Sequence, residues 1–316
     1  MTAGSTHTIW FADPAGTDLA KVGGKGANLG RMTQAGFVVP PGFVVGTTAY
    51  QSHIETLKEK ISWILAKINY ADANALEESV KQIRGIITGA DVPSDVAAEI
   101  GAGYAKLGAD LFVAVRSSGT AEDLDGASFA GLHDTYLDIK GEERVIDAVK
   151  RCWASLWTAR AVSYRKSQGF TAFPSIAIVI QAMVESEVSG VMFTGNPINT
   201  ATDELMLNAS WGLGESVVSG IVTPDEYIVS HRNFKVLQKT LGSKKVEIVR
   251  DPAKGSGTLH RDVEATRSAQ FTFTDEQAGE LARIGARIQA YYEGMPQDIE
   301  WGYAKGQFYI LQSRPV

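Results

Sequence analysis

Residues 298–316 read DIEWGYAKGQFYILQSRPV. Two β-prone runs flank a glycine-containing turn, so the stretch is a hairpin. With three residues in the turn, Ala304, Lys305 and Gly306, Tyr303 pairs with Gln307 and Glu300 faces Ile310. Glu300 is then diagonal to Gln312, about 7–8 Å away at the backbone, and both project from one face. Arg314 continues on that face by the period of two, while Ile299, Trp301 and Tyr303 take the other. A carboxylate, an amide oxygen and a guanidinium on one face suit a divalent cation with a phosphate. The same residues also read as a plain solvated face. Turn length decides, because a two-residue turn sends Glu300 and Gln312 to opposite faces.

Working back from the hairpin, Thr274 with Gln277 makes a capping box before a helix carrying Leu281, Ile284 and Ile288. Upstream lie "WGLGESVVSG" (211–220), "VSGVMFTGNP" (188–197) and the apolar run "IAIVIQAMV" (176–184), which has strand length. A long helix from Glu143 is patterned by Val145, Val149, Cys152, Trp153, Leu156 and Trp157. "LFVAV" (111–115) reads as a buried strand closing at Arg116, followed by the loop "SSGTAEDLDGASFAG" (117–131). One helix is expected from about Thr48, with Ile54, Leu57, Ile61, Ile64, Leu65 and Ile68 on one face, and another over Leu76–Ile87. "FVVPPGFVV" (37–45) is a turn between two short β-prone runs. Strands and helices mix without even βαβ alternation. The expected class is α+β, in two lobes spanning 1–185 and 186–316.

"KVGGKGANLG" (21–30) sets four glycines around Lys25. It is neither of two familiar phosphate motifs. Leu19 stands where a P-loop needs its first glycine and Gly26 where it needs Ser or Thr. Gly24, Gly26 and Gly30 miss the dinucleotide spacing. Leu29, Met32 and Ala35 follow with helical spacing, and Gly36 reads as the helix stop. Lys25 thus lies in a glycine loop at a helix N-terminus, which favours an anion. A glycine turn with a solvated lysine remains the other reading.

Arg116 closes an apolar strand and enters a Gly/Ser loop, well placed for bidentate phosphate contact or for pairing with Glu122 or Asp123. Glu215 in "GLGES" lies where glycines permit close approach of a ligand, or in a plain turn. Gln181 and Met183 interrupt an apolar strand whose edge suits an adenine ring, or simply belong to the core. The histidines show no metal-ligand spacing, and His133 alone stands in a suggestive loop. The single cysteine, Cys152, excludes an internal disulfide framework and reads as a buried thiol. With 316 residues and a net charge of −6, the chain has ordinary globular composition. No basic cluster favours nucleic acid or an anionic membrane. There is no membrane-length apolar run and no signal-peptide pattern, so a cytoplasmic location is expected.

Taken in order, "KVGGKGANLG", "VPPGFVV", "VAVRSSGTAEDL", "SFAGLHDTYL", "VMFTGNP", "WGLGESVVSG", "DIEW" and "LQSRPV" resemble the ATP-binding domain of the dikinase family. That family includes phosphoenolpyruvate synthase, pyruvate phosphate dikinase, rifamycin phosphotransferase and the ATP-binding subunit of phenylphosphate synthase. The resemblance spans residues 19–316. It implies an ATP-grasp-like fold, with the nucleotide between two lobes. It implies that Lys25, Arg116 and Arg314 meet ATP phosphates and carry the catalytic charge, with Thr135 of the "SFAGLHDT" loop beside them. Gln181 and Met183 become the adenine hinge, and Glu215 a ribose or hinge contact. Glu300 and Gln312 become Mg²⁺ ligands, with Gln312 also at the nucleotide. This agrees with the three-residue turn.

The implied reaction cleaves ATP to AMP and phosphate. The β-phosphate passes to a histidine on a swivelling domain and then to a small-molecule acceptor: pyruvate, a rifamycin or a phenol. No T-x-G-G-x-x-x-H type phosphohistidine motif occurs in the chain, so that domain is expected as a partner. Gly119 replaces a more usual alanine and Leu132 a frequent glutamine, and neither change removes a proposed ligand. Two other classes stay open: a non-catalytic nucleotide-sensing module, and an ATP-grasp ligase that forms an acyl phosphate and releases ADP.

Overall fold

The structure, a computed structural model, describes residues 6–119, 135–169, 173–198 and 203–316. The chain divides into two compact units. One takes residues up to Arg31 together with Pro41–Met183, and the other takes Met32–Pro40 together with Val184–Val316. The sequence reading set a single divide after residue 185 and kept 32–40 in the first part. Instead this short segment joins the second unit. Ile310 N–H donates to Val38 O at 2.8 Å and the Phe37 ring meets Tyr291 edge-on. Phe37–Val39, expected as a β run, therefore form no strand.

The first unit holds β1 (Thr8–Trp10), most of α1 (Leu19–Gln34), β2 (Gly42–Val45), α2 (Thr47–Glu55), α3 (Lys58–Leu65), α4 (Ala73–Gly89) and α5 (Ser94–Gly108). It continues through β3 (Val113–Gly119), β4 (Thr135–Ile139), α6 (Glu142–Ser155), α7 (Ala159–Ser167) and β5 (Ile176–Ala182). Its sheet is antiparallel throughout, in the order β1-β2-β5-β3-β4. The central position of β5 explains its apolar run from Ile176 to Ile180, since both of its faces are covered. Phe43, Val45, Val113, Val115, Ile178 and Ile180 point to one face and join the core built by α2–α6. The helix expected from Thr48 is two helices. Thr56 closes the first, its hydroxyl donating to His53 O at 2.8 Å. Ile54, Leu57, Ile61 and Ile64 are buried nonetheless. Helix α5 escaped the sequence reading because alanine and glycine dilute its apolar stripe to Val96, Ile100 and Tyr104.

The second unit holds β6 (Val188–Phe193), β7 (Glu204–Trp211), α8 (Glu215–Val218), β8 (Asp225–Ser230), β9 (Val236–Thr240) and the hairpin β10 (Val246–Arg250)–β11 (Thr258–Asp262). Then come α9 (Ala265–Ser268), α10 (Asp275–Tyr291), β12 (Gln297–Ala304) and β13 (Gln307–Pro315). Six strands form an antiparallel sheet ordered β13-β12-β6-β7-β8-β9. Helix α10 opens on the capping box read from Thr274 and Gln277. It packs on one face of the sheet, where Gly285 lies against Met192 and Leu205. Asp225 and Lys244 form a fully buried ion pair. Asp225 also accepts from Gly242 N, Thr272 N and Thr272 Oγ1, and Lys244 donates to Gly242 O. Among the described residues no helix is long and apolar enough to cross a membrane.

His53 sits in the first core, its ring 4.9 Å from that of Trp153. Its Nε2 lies 3.0 Å from Ile87 O, so it carries the proton, and Nδ1 is buried without a partner among the described residues. Burial pushes the imidazole pKa down, with Lys150 adding to the effect and the Ile87 carbonyl opposing it. Below the ordinary histidine value near pH ~6.5 the unfolded chain takes up a proton that the fold resists. Stability should therefore fall as pH drops from about 7 to 5, by at most ~1.4 kcal/mol per pH unit from this group. His53→Gln keeps a donor for Ile87 and does not titrate. Its urea-unfolding curves should show a flatter slope over that window, and an unchanged slope would exclude His53 as the source.

Candidate functional site

In the second unit, β12 and β13 are joined by Lys305 and Gly306, both at positive φ, 53° and 79°. Ala304 pairs with Gln307, so the turn has two residues and is of the I′ kind, not the expected three. Glu300 nevertheless pairs directly with Gln312. A β-bulge next to Trp301 inserts Leu311 into β13 and shifts the register by one. Ile310, expected beside Glu300, goes with Trp301 to the buried face. Asp298 pairs with Arg314 in the next row, and Arg314 Nε and Nη2 donate to Asp298 Oδ2 at 2.9 and 2.7 Å. Asp298, Glu300, Gln312 and Arg314 thus share one face of the hairpin.

That face continues across the sheet. Glu300 lies opposite Val191, Val191 opposite Asn208 and Asn208 opposite Glu226. All four are only half-buried, whereas Ile299, Trp301, Met192, Leu207 and Tyr227 on the α10 side are fully buried. Gln312 is the buried member of the polar group, at 7% exposure, and Arg314 is exposed. Glu215 is exposed and opens α8. The preceding Gly214 rests over Ser189, where an added Cβ would lie 3.6 Å from Ser189 Oγ. Ser189 is two residues from Val191, so the Glu215 loop covers the same face one row from Glu300. Among the described residues no group of three or more His, Cys, Asp or Glu stands ready for a metal. The Glu300–Gln312 pair by itself offers a cation one carboxylate and one amide oxygen.

In the first unit the register also gathers the candidates. Arg116 pairs with Val179 on one side and Thr135 on the other, and Gln181 lies between Gly42 and Ala114. Gln181, Arg116, Thr135 and Ser118 therefore project from the face opposite the helical core. Helix α1 packs on this face, where Gly26 sits against Val44. The helix is broken at Gly23 (φ 68°, ψ 176°), and Lys25 stands in the first turn after the break. Lys25 and Arg116 are half-buried and Thr135 is exposed. Met183 follows β5, its N–H donating to Phe112 O at 2.9 Å. The strand expected to end at Arg116 runs on to Gly119. His133, Glu122, Asp123 and the rest of the loop 120–134 lie outside the described residues.

Two side chains were missed. Asp298 went unread because its role needs the bulge, and Ser118 because its partner lies 92 residues away.

The model of the family described as "Pyruvate phosphate dikinase, AMP/ATP-binding domain" matches residues 19–316. The chain belongs to that family. It is 45% identical over 353 residues to the phosphoenolpyruvate synthase of Pyrococcus furiosus, covering 97% of this chain and 43% of that protein. It is 45% identical over 315 residues to a probable phosphoenolpyruvate synthase of Methanocaldococcus jannaschii, covering 97% and 26%. It is 40% identical over 320 residues to the rifampicin phosphotransferase of Bacillus cereus, covering 99% and 36%. The chain spans less than half the length of these relatives.

An ATP-binding domain needs somewhere to satisfy adenine, and Gln181 offers a test. It is 3% exposed, and among the described residues Nε2 has no hydrogen-bond partner. A buried donor left unpaired costs about 1–3 kcal/mol. Gln181→Leu keeps the volume and removes the donor. The variant should unfold at the same or higher urea concentration in the absence of nucleotide, and should bind ATP more weakly by calorimetry. Lower stability with unchanged ATP affinity would show Gln181 to be ordinary core.

Proposed function

We propose that this chain is the ATP-handling part of a dikinase-type phosphotransferase. With water, ATP gives AMP, the γ-phosphate as free phosphate, and the β-phosphoryl group on a histidine of a separate swivelling domain. From there it goes to a small-molecule acceptor such as pyruvate, a rifamycin or a phenol. The observation that carries this reading is the direct pairing of Glu300 with Gln312, next to Arg314 on a half-open sheet face. Support for pyruvate and a rifamycin comes from the names of the relatives, phosphoenolpyruvate synthase and rifampicin phosphotransferase.

In this reading the chain positions and neutralises a polyphosphate. Lys25, Arg116 and Arg314 supply fixed positive charge to the phosphate oxygens, and Thr135 adds a hydroxyl beside Arg116. Gln181 and Met183 take the adenine, and Glu215 the ribose. Mg²⁺ fits the Glu300–Gln312 pair, because a carboxylate and an amide carbonyl are hard oxygen donors. When bound, the ion neutralises phosphate charge. Preorganised charge and positioning are the dominant contributions in phosphoryl transfer, since little covalent chemistry falls to the protein. In this reading the chain works in the cytoplasm.

Two measurements test it. Supplying the chain with ATP and a phosphohistidine domain from a relative should yield AMP. Release of ADP with a carboxylate acceptor would favour a ligase, and ATP binding without turnover a sensing module. Glu300→Gln should lower Mg²⁺-dependent turnover much more than stability, with partial recovery at high Mg²⁺, since a neutral amide is a weaker ligand than a carboxylate. Normal turnover across the Mg²⁺ titration would remove Glu300 from the metal site.

A further inference from the structure

We propose that Ser118 is a positioning residue for Lys25 and ties the lysine's turn to the Arg116 strand as one block. The proposal rests on the reading of Lys25 and Arg116 as phosphate contacts. Helix α1 breaks at Gly23 and restarts at once. A restarting helix leaves backbone N–H groups that a capping side chain normally satisfies. Gly23 has no side chain to offer. The cap comes instead from β3. Ser118 Oγ accepts from Gly26 N–H at 3.1 Å and donates to Val22 O at 2.8 Å. One hydroxyl thus satisfies the last carbonyl before the break and an amide just after it.

The arrangement admits no substitute at position 23. A Cβ there would lie under 3.0 Å from both the backbone O and the Oγ of Ser118, on a backbone already at φ +68°. Position 23 therefore cannot cap its own helix, and the cap must arrive from another strand. Ser118 is fully buried, so water does not replace its bonds when the hydroxyl is removed. Lys25 lies between the two anchored points, Val22 and Gly26. Arg116 lies two residues before Ser118 on the same face of β3. The hydroxyl therefore fixes the backbones that carry both cations against each other. Without it the lysine turn keeps its sequence and charge but loses its fixed position relative to Arg116.

The test compares Ser118→Ala, Ser118→Thr and Ser118→Val with the parent by calorimetry, using MgATP and adenosine as probes. Ser118→Thr and Ser118→Val are nearly isosteric and differ in the hydroxyl. Loss of the hydroxyl should weaken MgATP binding by about threefold to thirtyfold, the range of a lost helix cap. Adenosine, which has no phosphates, should bind as before. Ser118→Thr should bind MgATP more tightly than Ser118→Val. In a Lys25→Ala background, Ser118→Ala should have little further effect. The proposal is overturned if Ser118→Ala and Ser118→Val bind MgATP like the parent, or if adenosine weakens equally. It is also overturned if the loss adds fully to that of Lys25→Ala, or if neither hydroxyl-free variant folds, since the role is then only structural. Parent-like MgATP affinity in Lys25→Ala alone would instead refute the phosphate role of Lys25, a separate and distinguishable result.

Discussion

An antiparallel strand sends alternate side chains to opposite faces, and in each sheet here one face carries the main apolar core. The opposite face receives the polar groups that this core cannot accept. In the first unit the helical core takes Phe43, Val45, Val115, Ile178 and Ile180. Gln181, Arg116 and Ser118 alternate with them and project to the opposite face, beside the buried Val44 and Val179. In the second unit Ile299 and Trp301 are fully buried on the α10 side, which leaves Asp298 and Glu300 for the opposite face. The candidate ligands are therefore gathered by register before any contact between them is considered. Moving β3 or β12 by one residue would place Arg116, or Asp298 and Glu300, in a core, at a cost of several kcal/mol for each unpaired charge.

The hairpin shows how far the sequence can carry such an argument. Its alternation was legible, and so was the grouping of Glu300, Gln312 and Arg314. The register was not. The turn is one residue shorter than expected, which alone would have separated Glu300 from Gln312. The bulge at Leu311 restores the match. Bulges have no strong local sequence signature, because their stability comes from neighbouring strands. The burial of Ile310 beside Trp301 is one such tertiary constraint, and it sends Gln312 to the other face. The capping box at Thr274 and the stop at Gly36 were legible because their bonds close within a few residues. Helix α5 was missed because its apolar stripe is thin, and the place of Met32–Pro40 because its partner is the last strand.

"KVGGKGANLG" is a packing device as well as the proposed seat of a phosphate-binding lysine. Gly30 meets the backbone of Gly16 closely enough that a Cβ would collide with the Gly16 carbonyl. Gly23 supplies the left-handed break that Ser118 fills. These glycines bring α1 down onto the sheet face that carries Arg116 and Gln181. The sequence reading saw permissive backbone and inferred a loop around the lysine. The chain instead uses it to seat a helix tightly, with Lys25 in the turn that follows the break.

The two ways this protein uses lysine separate its stability from its proposed function. Lys244 is wholly buried, and its partner Asp225 is saturated by the Gly242 and Thr272 donors. A buried pair is tolerable on that condition, because Coulombic attraction alone does not offset desolvation of two ions. Such a cation is committed to the fold and has no capacity left for a ligand. Lys25 and Arg116 are half-buried instead, on faces that helices do not fully cover. Partial burial lowers the local dielectric enough to strengthen an interaction with phosphate, while the desolvation cost stays moderate. Arg314 stays exposed even though Asp298 orients it, and exposed ion pairs contribute only about 0–1 kcal/mol to a fold. The energetic weight of that pair lies in aiming the guanidinium rather than in holding the hairpin together, because the register and the buried Trp301–Ile310 pair already do that.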